Sequence, residues 1–222
     1  MKKRLLSLLL AAACLMPLSG CDWGEEPEET YDTLSQYYQQ SDSTKQDTRL
    51  TSFGLPYLQG ETWDPITCAD GAQQTLGALL YESLYTLGTD FLPQSCLAES
   101  ASYDAESYAL TVTVRSGVTF SDGTPMTAAD VAASLTQAKN SVLYGNRLAG
   151  ISSAQAGEGS VTVRLTSPNG NLPALLDVPV VRETGGTPLG TGSYVLQQSG
   201  ESYILQRRND GWHPPAPALE TI

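Results

Sequence analysis

The sequence predicts an α/β fold, and three patterns support this prediction. Apolar and polar residues alternate over Tyr108–Arg115, which is typical of a half-buried strand. Apolar residues then repeat at helical spacing, so a helix is predicted from about Ala128 to Lys139. A second alternation follows over Ser160–Leu165, where the turn before it is supplied by two glycines. Strands and a helix therefore alternate along the middle of the chain.

The link between the first strand and the helix has turn and cap chemistry of its own. Ser121–Thr124 is a predicted turn, because glycine admits positive φ and aspartate can bond its own backbone. Thr127 is a predicted N-cap, and Asp130 stands three residues later in the capping-box position. The sequence therefore predicts a strand, a turn and a capped helix in direct succession.

Three further elements are predicted on either side of this region. Gln73–Leu84 is a helix candidate, because its leucines are spaced to share one face. Val178–Val181 is a strand candidate that follows a short apolar segment. Tyr194–Gln198 and Ser202–Gln206 are predicted to pair as a hairpin across a Ser-Gly turn.

Composition restricts the class of protein. The 222 residues include 12 Lys and Arg against 24 Asp and Glu, for a net charge of −12. A nucleic-acid partner is not expected, because phosphate binding depends on clustered basic residues. The acidity fits a soluble surface outside the cell and weakly favours cationic ligands. The length allows one good core or two small ones.

The N-terminus predicts a secreted and lipid-anchored chain. Residues 2–4 are basic, and the apolar run Leu5–Leu15 is too short to span a bilayer comfortably. Leu18–Cys21 resembles a bacterial lipobox, which implies a signal peptide over residues 1–20 and acylation of Cys21. Acyl chains hold a protein at a membrane face without spanning it. An ordinary secretory signal with an incidental cysteine is the alternative.

Residues 21–48 are predicted to form an acidic, flexible tether. They are rich in Gln, Ser and Thr and have few aliphatic side chains, so they bury too little apolar surface to fold. The alternative is a short helix that packs on the body through Tyr31, Tyr37 and Tyr38. The folded part is predicted over residues 49–222.

The candidates for catalysis are few. His213 is the single histidine and lies in a Pro-rich stretch, so it offers neither a convincing catalytic base nor a metal cluster. No phosphate-cradling Gly-rich loop precedes a helix. We therefore predict no enzyme activity, no cofactor and no metal site. A disulfide between Cys68 and Cys96 stays open, because its geometry cannot be read from sequence.

Several motifs carry a family resemblance. Arg115–Pro125, followed by Thr127–Val131 and Ser134, resembles the signature of the family 5 extracellular solute-binding proteins. The Tyr-Glu element in Leu80–Leu84 and the Arg-Asn element in Arg208–Trp212 are similar to further elements of this family. Its members are the dipeptide-, oligopeptide- and nickel-binding components of ABC importers. Departures from the family pattern are Trp63, Ser193 and the lengthened spacing at residues 94–96.

The resemblance implies the architecture. It covers Leu50–Ile222, which is less than half of a usual family member. It implies a type II periplasmic-binding-protein-like fold. Residues 49–222 are then an incomplete first lobe, with a mixed β-sheet and flanking helices. In the family, ligand sits between two lobes that close about a hinge.

The resemblance also implies where ligand is bound. An extended peptide is held through its main chain, as in strand addition. The first lobe contributes the loop after the first strand, with Pro56, Tyr57, Leu58 and Gln59, and Tyr144 adds an aromatic wall. The alternative is that these five are ordinary loop and core residues.

The implied function is that of a substrate-binding lipoprotein, which captures extracellular peptides for an ABC importer. Its partners are then a peptide ligand, the ABC permease and ATPase, and the membrane through its lipid anchor, outside the cytoplasm. The alternatives are a surface lipoprotein that keeps the lobe as a non-transport binding module, a non-functional fragment and, more remotely, a hydrolase. The sequence does not choose between peptide, nickel and another small solute.

Overall fold

The computed structural model describes residues 50–55, 62–200, 202–212 and 219–222. These residues pack as one unit that begins at Leu50. The predicted signal peptide, Cys21, the tether, Pro56–Gln59 and His213 all lie outside the described residues. Among the helices described, none combines the length and the apolar character needed to cross a bilayer.

The described residues form both helices and strands, and each named strand lies in an antiparallel pair. In chain order they are α1 (Gly71–Gly77), β1 (Tyr85–Leu87), β2 (Pro93–Ser95), β3 (Ala98–Asp104), β4 (Ala109–Val114), α2 (Ala128–Lys139), β5 (Ile151–Ala156), β6 (Ser160–Leu165), α3 (Leu172–Leu175), β7 (Tyr194–Ser199) and β8 (Ser202–Arg207).

The largest sheet has four antiparallel strands in the order β3-β4-β6-β5. Leu110 lies opposite Val163, and Val112 opposite Val161, so the two predicted strands share one buried face. That face packs against α2, which contacts β5 and β6. The predicted alternation over β4 and β6 is confirmed, and the main core lies between this sheet and α2.

Helix α2 has the predicted bounds and the predicted cap. The Asp130 carboxylate accepts hydrogen bonds from the backbone N–H of Thr127 at 2.8 Å and from its hydroxyl at 2.7 Å. The Arg182 guanidinium donates to both oxygens of the same carboxylate, at 2.9 and 2.7 Å. Asp130 therefore satisfies the start of the helix and ties it to the segment that contains Arg182.

The predicted helix over Gln73–Leu84 is wrong in its second half, because α1 ends at Gly77. The carbonyls of Leu79 and Leu80 accept hydrogen bonds from the backbone N–H groups of Tyr194 (3.1 Å) and Gly192 (2.9 Å). Hydrogen bonds to these distant partners replace helical hydrogen bonds after Gly77, although the leucines that follow are at helical spacing. Tertiary hydrogen bonds therefore override the local pattern.

The predicted strand over Val178–Val181 is also not formed. Isolated bridges join Pro179 to Ser83 and Arg182 to Leu189 instead. Burial of this segment is confirmed, since Val178, Val180 and Val181 belong to the core. Its apolar run therefore reports core packing rather than membership of a sheet.

The predicted hairpin is confirmed as β7 and β8, in which Tyr194 lies opposite Arg207. The backbone of Ile222 exchanges two hydrogen bonds with Leu205 and so extends this sheet. Ser52 forms a parallel bridge with Thr221 at the next position. Among the described residues this bridge is the parallel element of the predicted mixed sheet, and the pairs between the named strands are all antiparallel.

Candidate functional site

A cleft of about 490 Å³ opens to solvent beside the end of α1. The end of α1 and the segment that leaves it contribute to the lining, and the other lining residues come from distant parts of the chain. Its lining residues are Pro65, Gln74, Gly77, Ala78, Tyr81, Glu82, Ser83, Thr86, Leu87, Cys96, Tyr144, Asp177 and Pro179. The lining combines aromatic, aliphatic and acidic side chains, which suits an organic ligand with both apolar and polar groups.

Pro65 is placed in the cleft by a local turn. The carboxylate of Asp64 accepts hydrogen bonds from the Ile66 N–H at 2.9 Å and the Thr67 hydroxyl at 2.6 Å. Trp63, the departure from the family pattern, is buried and packs against the ring of Tyr203 with centroids 5.5 Å apart. The turn is therefore anchored in the core on one side and presents Pro65 on the other.

Tyr81 forms the base of the wall that leaves α1. Its hydroxyl lies 3.1 Å from the Trp63 carbonyl and 3.2 Å from the Pro188 carbonyl, and shares its hydrogen bond between them. Burial raises the pKa of Tyr81 well above its ordinary value, and the charges of Asp64 and Glu183 raise it further. Tyr81 therefore stays neutral and serves as a fixed apolar wall.

Glu82 connects three distant parts of the chain at this wall. Its Oε2 accepts hydrogen bonds from the Thr191 hydroxyl and from the Trp212 indole N–H, both at 2.8 Å. The Arg115 guanidinium lies 5.0 Å from the centroid of the Trp212 ring and donates through Nε to the Cys96 carbonyl at 3.1 Å. The Glu82 side of the cleft is therefore braced to the Cys96 side.

The Gly-Thr-Gly element fits against the backbone behind this wall. A Cβ atom on Gly190 would stand 2.1 Å from the Leu80 carbonyl oxygen, and one on Gly192 would stand 2.4 Å from that of Leu79. Thr191 between them is fully buried. Only glycine permits so close an approach, and this approach brings Thr191 within reach of Glu82.

Tyr144, which follows α2, also lines the cleft. Its hydroxyl donates to the Pro65 carbonyl at 3.4 Å, and the Arg147 guanidinium lies 5.0 Å from its ring centroid. Arg147 is in turn paired with Asp177 at 2.7 Å. Burial raises the pKa of the Tyr144 phenol, whereas the charge of Arg147 opposes this rise.

Cys68 and Cys96 are both free thiols in the structure. Cys68 is buried and donates through its thiol to the Gln73 side-chain oxygen at 3.3 Å. Cys96 lines the cleft, where burial and then the charge of Glu82 raise the pKa of its thiol to about 11. At neutral pH this thiol is therefore protonated and a poor nucleophile.

Among the residues predicted for ligand binding, Tyr144 lies in this cleft, and Pro56, Tyr57, Leu58 and Gln59 lie outside the described residues. Sequence reasoning did not select Glu82, Cys96 or Asp177 as part of the site. The Tyr-Glu element pointed to Glu82 as a family feature, whereas Asp177 had no local signal. In the part of the chain described, no three His, Cys, Asp or Glu residues form a group that could hold a metal ion.

Comparison with known proteins identifies the family. The family model described as bacterial extracellular solute-binding proteins, family 5 Middle, matches residues 93–222. The glutathione-binding protein GsiB of Escherichia coli K12 is 27% identical over 179 residues, which cover 72% of this chain and 35% of GsiB.

Solved structures show the same fold. The oligopeptide-binding protein AppA from Bacillus subtilis, in complex with a nonapeptide, has a TM-score of 0.65 at 18% identity, covering 78% of this chain and 39% of AppA. NikA from Brucella suis, in complex with Fe(III)-EDTA, has a TM-score of 0.62 at 25% identity, covering 77% of this chain and 38% of NikA. The chain spans less than two fifths of each of these relatives.

The fold is a mixed α/β portion that matches part of the type II periplasmic binding proteins. The family assignment then follows from the match over more than half of the chain. The chain belongs to the bacterial extracellular solute-binding proteins, family 5.

Proposed function

We propose that this chain captures short peptides outside the membrane, as the substrate-binding component of an ABC importer. The cleft of about 490 Å³ that Tyr81, Glu82 and Tyr144 help to line is the observation that carries the proposal. Relatives support the ligand class, since GsiB is described as glutathione-binding and AppA as oligopeptide-binding.

The lining of the cleft suits a peptide. Tyr144, Leu87 and Pro65 offer apolar surface for side chains, whereas Glu82 and Asp177 are acidic. Asp177 is paired with Arg147, and Glu82 accepts hydrogen bonds at Oε2 from Thr191 and Trp212. Carboxylates in the lining favour the ammonium group of a peptide.

Calorimetric titration of the 222-residue chain with defined peptides of two to five residues tests this proposal. We expect heats of binding with dissociation constants near the micromolar range, which corresponds to about −8 kcal/mol. Tyr144→Ala is expected to weaken binding about tenfold, because it removes an aromatic wall. Tyr103→Ala is the matched control, since Tyr103 lies on β3, is 37% exposed and does not line the cleft.

Each variant is first checked by thermal unfolding, so that a loss of binding is not confused with a loss of fold. Titrations without heat for every peptide at several temperatures would refute peptide capture by this chain. Equal weakening by Tyr144→Ala and Tyr103→Ala would instead refute the assignment of the ligand to this cleft.

We further propose that Cys21 carries the lipid anchor that holds the chain at the outer membrane face. The basic residues 2–4, the short apolar run and the lipobox-like Leu18–Cys21 support this proposal. Metabolic labelling with a palmitate analogue is expected to mark the chain, and Cys21→Ala is expected to abolish the label and release the protein from membranes. Cys14→Ala is the matched control, because Cys14 precedes the predicted cleavage site. Label that persists in Cys21→Ala would overturn the anchor.

The transport role has a separate test. Genes for a permease and an ATPase beside the coding gene, together with loss of peptide uptake on its deletion, are the expected results. Unchanged uptake in the deletion strain would favour a surface binding module that takes no part in import.

A further inference from the structure

One face of the Tyr144 ring is covered by a cation. The Arg147 guanidinium carbon lies 5.0 Å from the ring centroid. Tyr144 and Asp177 line the cleft, whereas Arg147 is not among the lining residues. The guanidinium therefore contacts the Tyr144 ring without being part of the cleft lining.

Two contacts fix this arrangement. Arg147 forms an ion pair with Asp177, in which a guanidinium nitrogen lies 2.7 Å from Oδ1, and this pair holds the guanidinium in place. The Tyr144 hydroxyl is anchored to the Pro65 carbonyl at 3.4 Å, which restricts rotation of the ring about its side-chain bonds. The Tyr144 ring therefore has its hydroxyl group bonded to Pro65 and one of its faces covered by Arg147.

An aromatic ring attracts cations through the negative potential of its faces. A guanidinium over one face reduces this negative potential, and its own positive charge repels a second cation. A ligand that reaches the free face or the edge of the ring therefore gains less from a cationic side chain. Aromatic and aliphatic side chains keep their favourable binding free energy at the ring, because this energy comes from stacking and from burial of apolar surface.

We propose that Arg147, held over one face of the Tyr144 ring by Asp177, determines side-chain selectivity in this part of the cleft, by favouring aromatic and aliphatic ligand side chains over cationic ones. Arg147 acts through Tyr144 and does not touch the ligand itself. This inference rests on the proposed peptide capture and names the chemistry that the Tyr144 wall accepts.

The test compares two peptides that differ at one side chain, Ala-Phe-Ala and Ala-Lys-Ala, with the full 222-residue chain. Arg147→Met removes the cation and keeps an apolar stem of similar length. We expect the ratio of the two affinities to shift toward Ala-Lys-Ala by about two- to fivefold, the range of a cation–π contact at a partly exposed site. Arg147→Lys keeps the charge and is expected to retain a ratio close to that of the unchanged chain.

Removal of Arg147 also leaves Asp177 unpaired, and a free carboxylate would attract lysine by itself. The double variant Arg147→Met/Asp177→Asn removes both charges, so the local net charge is preserved. A shifted ratio in the double variant supports the role of the cation over the ring. A ratio that returns to that of the unchanged chain would assign the effect to Asp177 and overturn the inference.

The outcomes separate the two proposals. If neither peptide binds the unchanged chain, peptide capture fails, and the selectivity assigned to Arg147 fails with it. If both peptides bind but Arg147→Met leaves the ratio unchanged while unfolding at the same temperature, only the selectivity inference fails. A fluorine resonance from 3-fluorotyrosine at position 144, assigned with Tyr144→Phe, provides a readout without ligand. It is expected to move in Arg147→Met, and an unmoved resonance would contradict the stacked guanidinium.

Discussion

Replacement of Gly192 by alanine tests how the wall of the cleft is built. The new Cβ would stand 2.4 Å from the Leu79 carbonyl oxygen and 2.6 Å from the Leu80 carbonyl carbon. Both neighbours are backbone atoms, so no side chain can rotate away to relieve the overlap. The segment with Gly192 must therefore move away from Leu80 by nearly an ångström.

The cost follows from what this movement breaks. Overpacking of an interior site costs about 1–3 kcal/mol. Separation also weakens the hydrogen bonds from the Gly192 N–H to Leu80 (2.9 Å) and from the Tyr194 N–H to Leu79 (3.1 Å). Each such bond contributes about 0.5–1.5 kcal/mol. We expect Gly192→Ala to lower the free energy of unfolding by about 3–5 kcal/mol, or the melting temperature by about 10 °C.

Thermal and urea unfolding followed by circular dichroism measure this loss. Gly186→Ala is the matched control, because the nearest atom to its Cβ is the Thr184 hydroxyl oxygen at 3.9 Å. Both substitutions reduce the entropy of the unfolded chain in the same way. The difference between their changes in the free energy of unfolding therefore measures only the close approach of Gly192 to the backbone of Leu79 and Leu80. A Gly192→Ala variant as stable as Gly186→Ala would refute the packing of this segment against Leu80.

Three further predictions concern single side chains. Arg208→Met is expected to cost about 3 kcal/mol in chemical denaturation, since the buried guanidinium donates to backbone carbonyls at 3.0 and 3.2 Å and charged hydrogen bonds contribute about 1.5–3 kcal/mol each; a loss below about 1 kcal/mol would contradict this. Cys96 is expected to react with iodoacetamide at pH 8 about a hundredfold more slowly than a free cysteine, because its pKa of about 11 leaves little thiolate, and a comparable rate would argue against its burial. Asp130→Asn is expected to reduce the decrease in the free energy of unfolding that accompanies acidification. Burial raises the pKa of Asp130, but Arg182 and Thr127 lower it below its ordinary value, so Asp130 stabilises the fold above about pH 4 and loses this effect as pH falls through the folded pKa; unfolding curves between pH 2 and pH 6 that match the unchanged chain would refute this.

Local chemistry was sufficient to predict the middle of the fold from the sequence. Helix α2 has its predicted bounds because Thr127 and Asp130 form a cap within four residues. Strand β6 was predictable because its alternation matches one buried and one solvated face. Strand β5 was not, since Ile151–Ala156 has polar and small residues at most positions and owes its place to pairing with β6.

Other parts of the fold and of the site depend on contacts between residues far apart in the sequence, so local patterns could not predict them. The helix predicted through Leu84 stops at Gly77 because its carbonyls bond to residues more than a hundred positions away. Tyr144 was predicted as a wall of the site from its loop and its aromatic ring, and the structure places it in the cleft. Glu82 and Asp177 reach the same cleft only through the tertiary fold, and no pattern within a short window joins them.

The side-chain hydrogen bonds of Glu82 also affect the order in which parts of the chain fold during synthesis. Its partners Thr191 and Trp212 lie 109 and 130 positions later in the chain. The four-stranded sheet, in contrast, is complete once Leu165 has been made. Contacts of such high sequence separation form slowly, and domains made first begin to fold first. The four-stranded sheet can therefore form early in synthesis, whereas the hydrogen bonds of Glu82 require Thr191 and Trp212, which are made later.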